Sequence, residues 1–168
     1  MNLAWMMLGP GLIAVSLPFV TQVAGENAGL RGLPGVAVVA EVTAPELARY
    51  GVDEDWLRDR ATRTLRREGV ALLTRPDASS LDRQPVLAVQ LETTRLPGRQ
   101  TFAWHLSLTL HQKTVTLGAP PDTVLGQTWA ATGTLGISSG TLLRGSVSET
   151  LDEKLAEFAK VWGEQRAR

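Results

Sequence analysis

The chain has 168 residues, 17 Lys plus Arg against 17 Asp plus Glu, and no cysteine. A net charge of zero supplies no field to gather nucleic acid, so no nucleic-acid partner is expected. The missing thiols exclude disulfides, thiol catalysis and Cys-ligated metals.

Met1 to Gly25 carry no charged side chain, and the first charge is Glu26. Leu3 to Gly25 would span roughly 34 Å as a helix, enough for a bilayer's hydrocarbon core of ~30 Å. This predicts a transmembrane or signal-anchor helix over residues 1–25, with the lipid bilayer as partner through residues 3–25. Gly9-Pro10-Gly11 and Pro18 interrupt the stretch, a kink that membrane helices tolerate better than soluble ones. Two readings compete with it. One is a cleaved secretory signal with Leu12 to Val20 as its apolar core and Val23-Ala24-Gly25 at the cleavage site. The other is a helix buried inside a soluble fold. A short uncharged N-terminus ahead of a large domain places that domain on the periplasmic, extracytoplasmic side of the membrane. Residues 26–34 read as a linker and 35–168 as one domain, long enough for a core of its own.

Val36 to Val42 is a β-rich apolar run and predicts a central strand. Thr43-Ala44-Pro45-Glu46 reads as a capping box opening a helical turn that closes at Gly51. A helix follows from Asp53, its N-cap, to Glu68, with Gly69 as stop and Leu57, Ala61 and Leu65 as buried stripe. On its wet face Glu54 with Arg58, and Asp59 with Arg63, are spaced to pair. Val70 to Thr74 reads as a short second strand.

Pro85 to Leu96 and Thr101 to Leu117 alternate with period two and predict a hairpin through Pro97-Gly98-Arg99-Gln100. Leu87, Val89 and Leu91 in the first strand, and Phe102, Trp104, Leu106, Leu108 and Leu110 in the second, form its buried face. A further strand is expected from about Thr123 to Ile137, with Leu125, Trp129, Ala131, Leu135 and Ile137 inward. The last element is an amphipathic helix with Leu143, Val147, Leu151, Leu155, Phe158 and Trp162 on one stripe. Its start is open between Leu143 and a capping box at Ser146-Val147-Ser148-Glu149. The expected fold is α+β: a two-layer sandwich of a mostly antiparallel sheet of four to five strands and two main helices, behind the N-terminal membrane segment.

Chemistry is sparse in this pattern. His105 and His111, the only histidines, sit on one strand roughly 20 Å apart and share no metal. No G-x-S-x-G elbow, P-loop or G-x-G-x-x-G occurs, and the glycines of Gly133 to Gly140 read as a strand-to-helix loop. No catalytic residue, cofactor or metal site is expected. The arginines of the first long helix read as a solvated face, with an anion or headgroup patch as the alternative. The outward set Gln90, Glu92, His105, Ser107, Thr109 and His111 is the candidate partner-facing surface. Glu41 and Glu92 fall on the same outward face as His105.

Four pieces carry a resemblance: Gly51-Val52 with Leu57, Leu65-Arg66-Arg67-Glu68-Gly69-Val70, Trp129-Ala130-Ala131-Thr132-Gly133-Thr134-Leu135-Gly136, and Leu151 to Trp162. In these the chain resembles a diffuse family of uncharacterised bacterial envelope-associated α+β domains. The resemblance implies the fold and an envelope location, and it carries over no site residue. The extra turn in the last helix and Gly145 depart from the pattern. The expected function is a non-catalytic accessory subunit, membrane-anchored, whose exported domain docks on a larger membrane protein complex of respiratory, photosynthetic, secretion or cell-wall type. The alternatives are a lipid- or small-molecule-binding envelope module, with ligand between helices and sheet, and a small hydrolase in which His105, Glu92 or Ser139 converge.

Overall fold

The computed structural model describes residues 28–74, 84–98, 100–115, 120 and 122–166. The expected membrane or signal helix over 1–25 lies outside them. Among the described residues no helix is long and apolar enough to cross a membrane.

Strand β1 (Ala37–Val42) runs parallel to β2 (Val86–Arg95), and helix α1 (Glu54–Arg67) lies between them in sequence. β2 turns back into the long β3 (Thr101–Val115), with Leu96 N–H donating to the Thr101 carbonyl at 2.9 Å to close the turn. β4 (Thr123–Ala130) and β5 (Thr134–Ser139) both run antiparallel along the far side of β3. β4 covers its C-terminal half and β5 its N-terminal half. Helix α2 (Gly140–Arg166) ends the described chain. Among the described residues the fold is therefore α+β, with a five-stranded mixed sheet and two α-helices.

One core holds the layers together. Leu57, Ala61 and Leu65 of α1, and Leu143, Val147, Leu151, Leu155, Phe158 and Trp162 of α2, share a cluster with Leu87, Leu91, Phe102, Leu106 and Leu110 of the sheet. Trp129 and Phe158 meet edge to face at 4.9 Å, an arrangement that suits the ring quadrupoles. The 3-10 turn at Ala28–Leu30 is tied down as well. Leu30 is buried and Gln112 Nε2 donates to the Gly29 carbonyl at 2.7 Å, so this part of the expected linker packs against the domain.

Several local expectations hold. Asp53 caps α1, its carboxylate accepting the Trp56 N–H at 2.7 Å, and Gly69 follows the helix at φ 79°, the left-handed conformation that glycine adopts without strain.

Others differ. β1 lies at the end of the sheet, not its centre, because the Val70 to Thr74 stretch contributes only one bridge, Val36 with Leu72. The Thr43 capping box does not form. A 3-10 turn runs over Pro45–Tyr50 from Ala44, and the Thr43 hydroxyl instead accepts the Thr93 N–H across the strands at 3.3 Å. α2 begins at Gly140, so the Ser146 box lies inside the helix, and Ser146 Oγ accepts from Ser138 Oγ at 3.0 Å.

The continuous strand Thr123 to Ile137 is broken at residues 131–133. There the Lys154 ammonium of α2 donates to the Thr132 carbonyl, and the strand re-enters the ladder one residue out of phase. Trp129 and Ala131 face the core as expected, but on β5 the inward residues are Gly136 and Ser138. Leu135 and Ile137 point out, 81% and 70% exposed, and Leu125 on β4 is exposed too. The glycine is required there: a Cβ on Gly136 would overlap the Trp104 ring, whose Nε1 donates to Ser138 Oγ at 3.1 Å.

Candidate functional site

The sheet face opposite the helices carries the outward half of each strand. The β2–β3 register sets Glu92 opposite His105 and Gln90 opposite Ser107, with Thr109 and His111 next along β3. All six residues of the candidate surface are therefore neighbours on one face. They are polar because alternation puts the apolar partners Leu87, Val89, Leu106 and Leu108 on the other side.

Polar contacts organise this face. Gln90 Nε2 donates to Glu41 Oε2 at 3.2 Å, Thr109 Oγ1 and His111 Nε2 lie 3.0 Å apart, and Glu92 Oε2 stands 3.6 Å from His105 Nδ1. The backbone of Gly133 packs directly against the His105 ring, where any Cβ would collide with Nε2. The ring is thus gripped between a carboxylate and a glycine of the β4–β5 break. Glu92, Thr94, Ala103, His105 and Leu135 line an open hollow of about 350 Å³.

The Glu92–His105 pair brings two of the three residues of the hydrolase reading together. Ser139 does not join them. It faces Thr101 on β3, four positions from His105 or roughly 13 Å along the strand, and its hydroxyl meets Thr141 Oγ1 at 3.1 Å. His105 and His111 stay six positions apart on β3, and no group of three metal-ligating side chains occurs among the described residues.

Three arginines of α1 are paired with carboxylates. Arg58 reaches Asp55 at 2.8 Å and Asp59 at 3.5 Å rather than Glu54, and Arg67 meets Glu68 at 3.1 Å. Arg60 crosses to α2 and grips Asp152 with Nη2 at 2.5 Å and Nε at 3.3 Å, while Thr64 Oγ1 donates to the same carboxylate at 2.8 Å. Partial desolvation pushes the Asp152 carboxyl up. The bonds from Arg60 and Thr64, with the charges of Arg60 and Arg67, outweigh it and hold the group below the usual carboxylate value. This constellation joins two helices.

A second hollow of about 360 Å³ opens where β1 ends, between Val42, Ala44, Pro45, Ala48 and Val52 and the acidic first turn of α1, Asp53 to Asp55. The space between helices and sheet, where a ligand was expected under the binding-module reading, is occupied by Leu87, Leu91, Leu106, Leu155 and Phe158, all fully buried.

What the sequence pattern missed on the outer face is the apolar pair Leu135 and Ile137. The signal for it was the pair of glycines, Gly133 and Gly136, each lying where a large β3 side chain (His105 or Trp104) claims the space of a Cβ. No protein family and no curated protein matches the chain.

Proposed function

We propose that the protein is a non-catalytic accessory subunit, held at a membrane by its uncharged opening segment, whose exported domain docks on a larger membrane protein assembly through the outer sheet face. The observation that carries this reading is the organised polar face itself. Gln90, Glu92, His105, Ser107, Thr109 and His111 form one contiguous surface on the two longest paired strands, with Glu41 oriented by Gln90. Such a face offers a partner fixed donors and acceptors on a rigid scaffold, which lowers the ordering cost of docking. The assembly presents complementary hydrogen-bonding groups to this face.

The test is purification of the full chain from native membranes in mild detergent, comparing the native protein with Ser107→Arg. Ser107 is half-buried at the centre of the outer face, so a long cation there obstructs docking and leaves the core untouched. The native chain should bring down stoichiometric partners that the variant loses while keeping its thermal stability. A native chain recovered alone, or partners retained equally by both, would overturn the proposal.

A further inference from the structure

We propose that the open edge of β5 pairs antiparallel with β5 of a second copy of this chain. The inference goes beyond the docking face and does not depend on it.

The hydrogen-bond phase of the sheet fixes what this edge presents. Leu96 N–H bonds the Thr101 carbonyl, so the odd-numbered residues of β3 direct their backbone groups to β2. The even-numbered ones turn to the other side, where the Leu108 carbonyl accepts the Ala131 N–H. In β5, Thr134, Gly136 and Ser138 face Leu106, Trp104 and Phe102 and spend their backbone groups on β3. Leu135 and Ile137 therefore direct N–H and C=O outward, toward an edge that no described strand occupies.

Exposed edges in folded proteins are normally guarded by charge, proline or bulges. This one is not. From Thr123 to Leu143 the sequence holds no charged residue, and the nearby Lys154 ammonium is committed to the Thr132 carbonyl. The residues whose amides are available are the same two whose side chains stand 81% and 70% exposed. A row of unpaired amides beside two large apolar side chains favours strand addition over solvation.

The edge also fits itself. A two-fold axis at Gly136 sets Leu135 opposite Ile137 of the second copy, and Ile137 opposite its Leu135. Each pair then exchanges both backbone bonds, which the ladder phase requires. Gly136 meets Gly136, so no side chain obstructs the axis. Leu135 and Ile137 would close over one another as cross-strand neighbours on the outer face. The neutral strip offers no charge by which a different chain would be chosen. Pairing would join two sheets edge to edge and leave Ser107 and His111, one strand inward on β3, and Gln90, two strands inward on β2, open in both copies.

The experiment is sedimentation of the purified full chain in detergent, at about 100 μM and in dilution, alongside Ile137→Lys. The native chain should dimerise. The variant should be monomeric or weaker by about tenfold or more, with an unchanged melting temperature at dilutions where the native chain is itself monomeric, since Ile137 is exposed. Ile137→Lys leaves the opening segment intact, so association through that segment would persist in the variant and count against the proposal. Because the chain lacks cysteine, register can be read directly. A mixture of Leu135→Cys and Ile137→Cys chains should form a disulfide-linked pair on oxidation, and a mixture of Leu135→Cys with Glu149→Cys should not. A native chain that stays monomeric at the highest concentration, a dimer indifferent to Ile137→Lys, or equal cross-linking in both mixtures would overturn it. Failure here leaves the Ser107→Arg result standing, since that variant reports on a different face.

Discussion

Asp152→Ala is the substitution whose effect the structure specifies most fully. The Asp152 carboxylate takes two bonds from Arg60 and one from Thr64, joining α2 to α1 across 88 to 92 residues of sequence. The side chains are 27% and 34% exposed, between the solvated pairs worth under about 1 kcal/mol and the buried pairs whose rupture costs ~3–5 kcal/mol. Screening by solvent at that exposure places the loss at about 1–2 kcal/mol, or roughly 3–8 °C in melting temperature. Because the fold depresses this carboxyl below its ordinary 3.8, the unfolded state binds its proton at higher pH than the folded state does. The contribution is therefore fully present well above 3.8, declines as pH falls through that value, and is gone below the depressed one. Urea titrations of native and variant chains, followed by circular dichroism at about pH 7, 5 and 3, should show an equal gap at the first two and a shrinking one at the third. A gap that keeps its full size under acid, or none at neutral pH, would refute the assignment of this pair as the link between the helices.

Glycine supplies a matched pair of tests. Gly136→Ala should destabilise by about 1–3 kcal/mol, because its methyl would displace the Trp104 ring, whereas Gly145→Ala, with nothing near the added Cβ on an exposed turn of α2, should stabilise by up to ~1 kcal/mol. Both are read from chemical denaturation. The phase change at the β4–β5 break is tested by Leu135→Ser, expected within about 0.5 kcal/mol of native, against Trp129→Ala, expected to cost ~3–5 kcal/mol; a large loss for Leu135→Ser under dissociating conditions would restore the unbroken strand.

The sequence made the β2–β3 hairpin legible because ten consecutive positions alternate with one face buried, and a turn at Pro97-Gly98 sets where the strands fold back. The same regularity placed the six polar residues on one face before their register was known. α2 was legible from its stripe, though its start was not, since Gly140 to Gly145 lacks any cap signal that outweighs the Ser146 box. The break at 131–133 escaped because alternation says nothing of a pause in the ladder: it is held by Lys154, from an element 22 residues on. The Thr43 box failed for a similar reason. A local motif lost its hydroxyl to a backbone donor 50 residues away. Long-range competition of this kind decides which local signals survive, and neither Arg60 with Asp152 nor Glu92 with His105 could be paired without the folded register.

The most direct measurement of the docking reading uses the absence of native cysteine. Ser107→Cys places a single thiol at the centre of the outer face. Its maleimide labelling would be timed in intact membranes and again after detergent purification to the isolated chain. A covered face predicts slow labelling in the membrane and fast labelling once purified, with a control thiol at exposed Glu149 reacting equally in both. Equal rates for Ser107→Cys in the two settings would contradict the account.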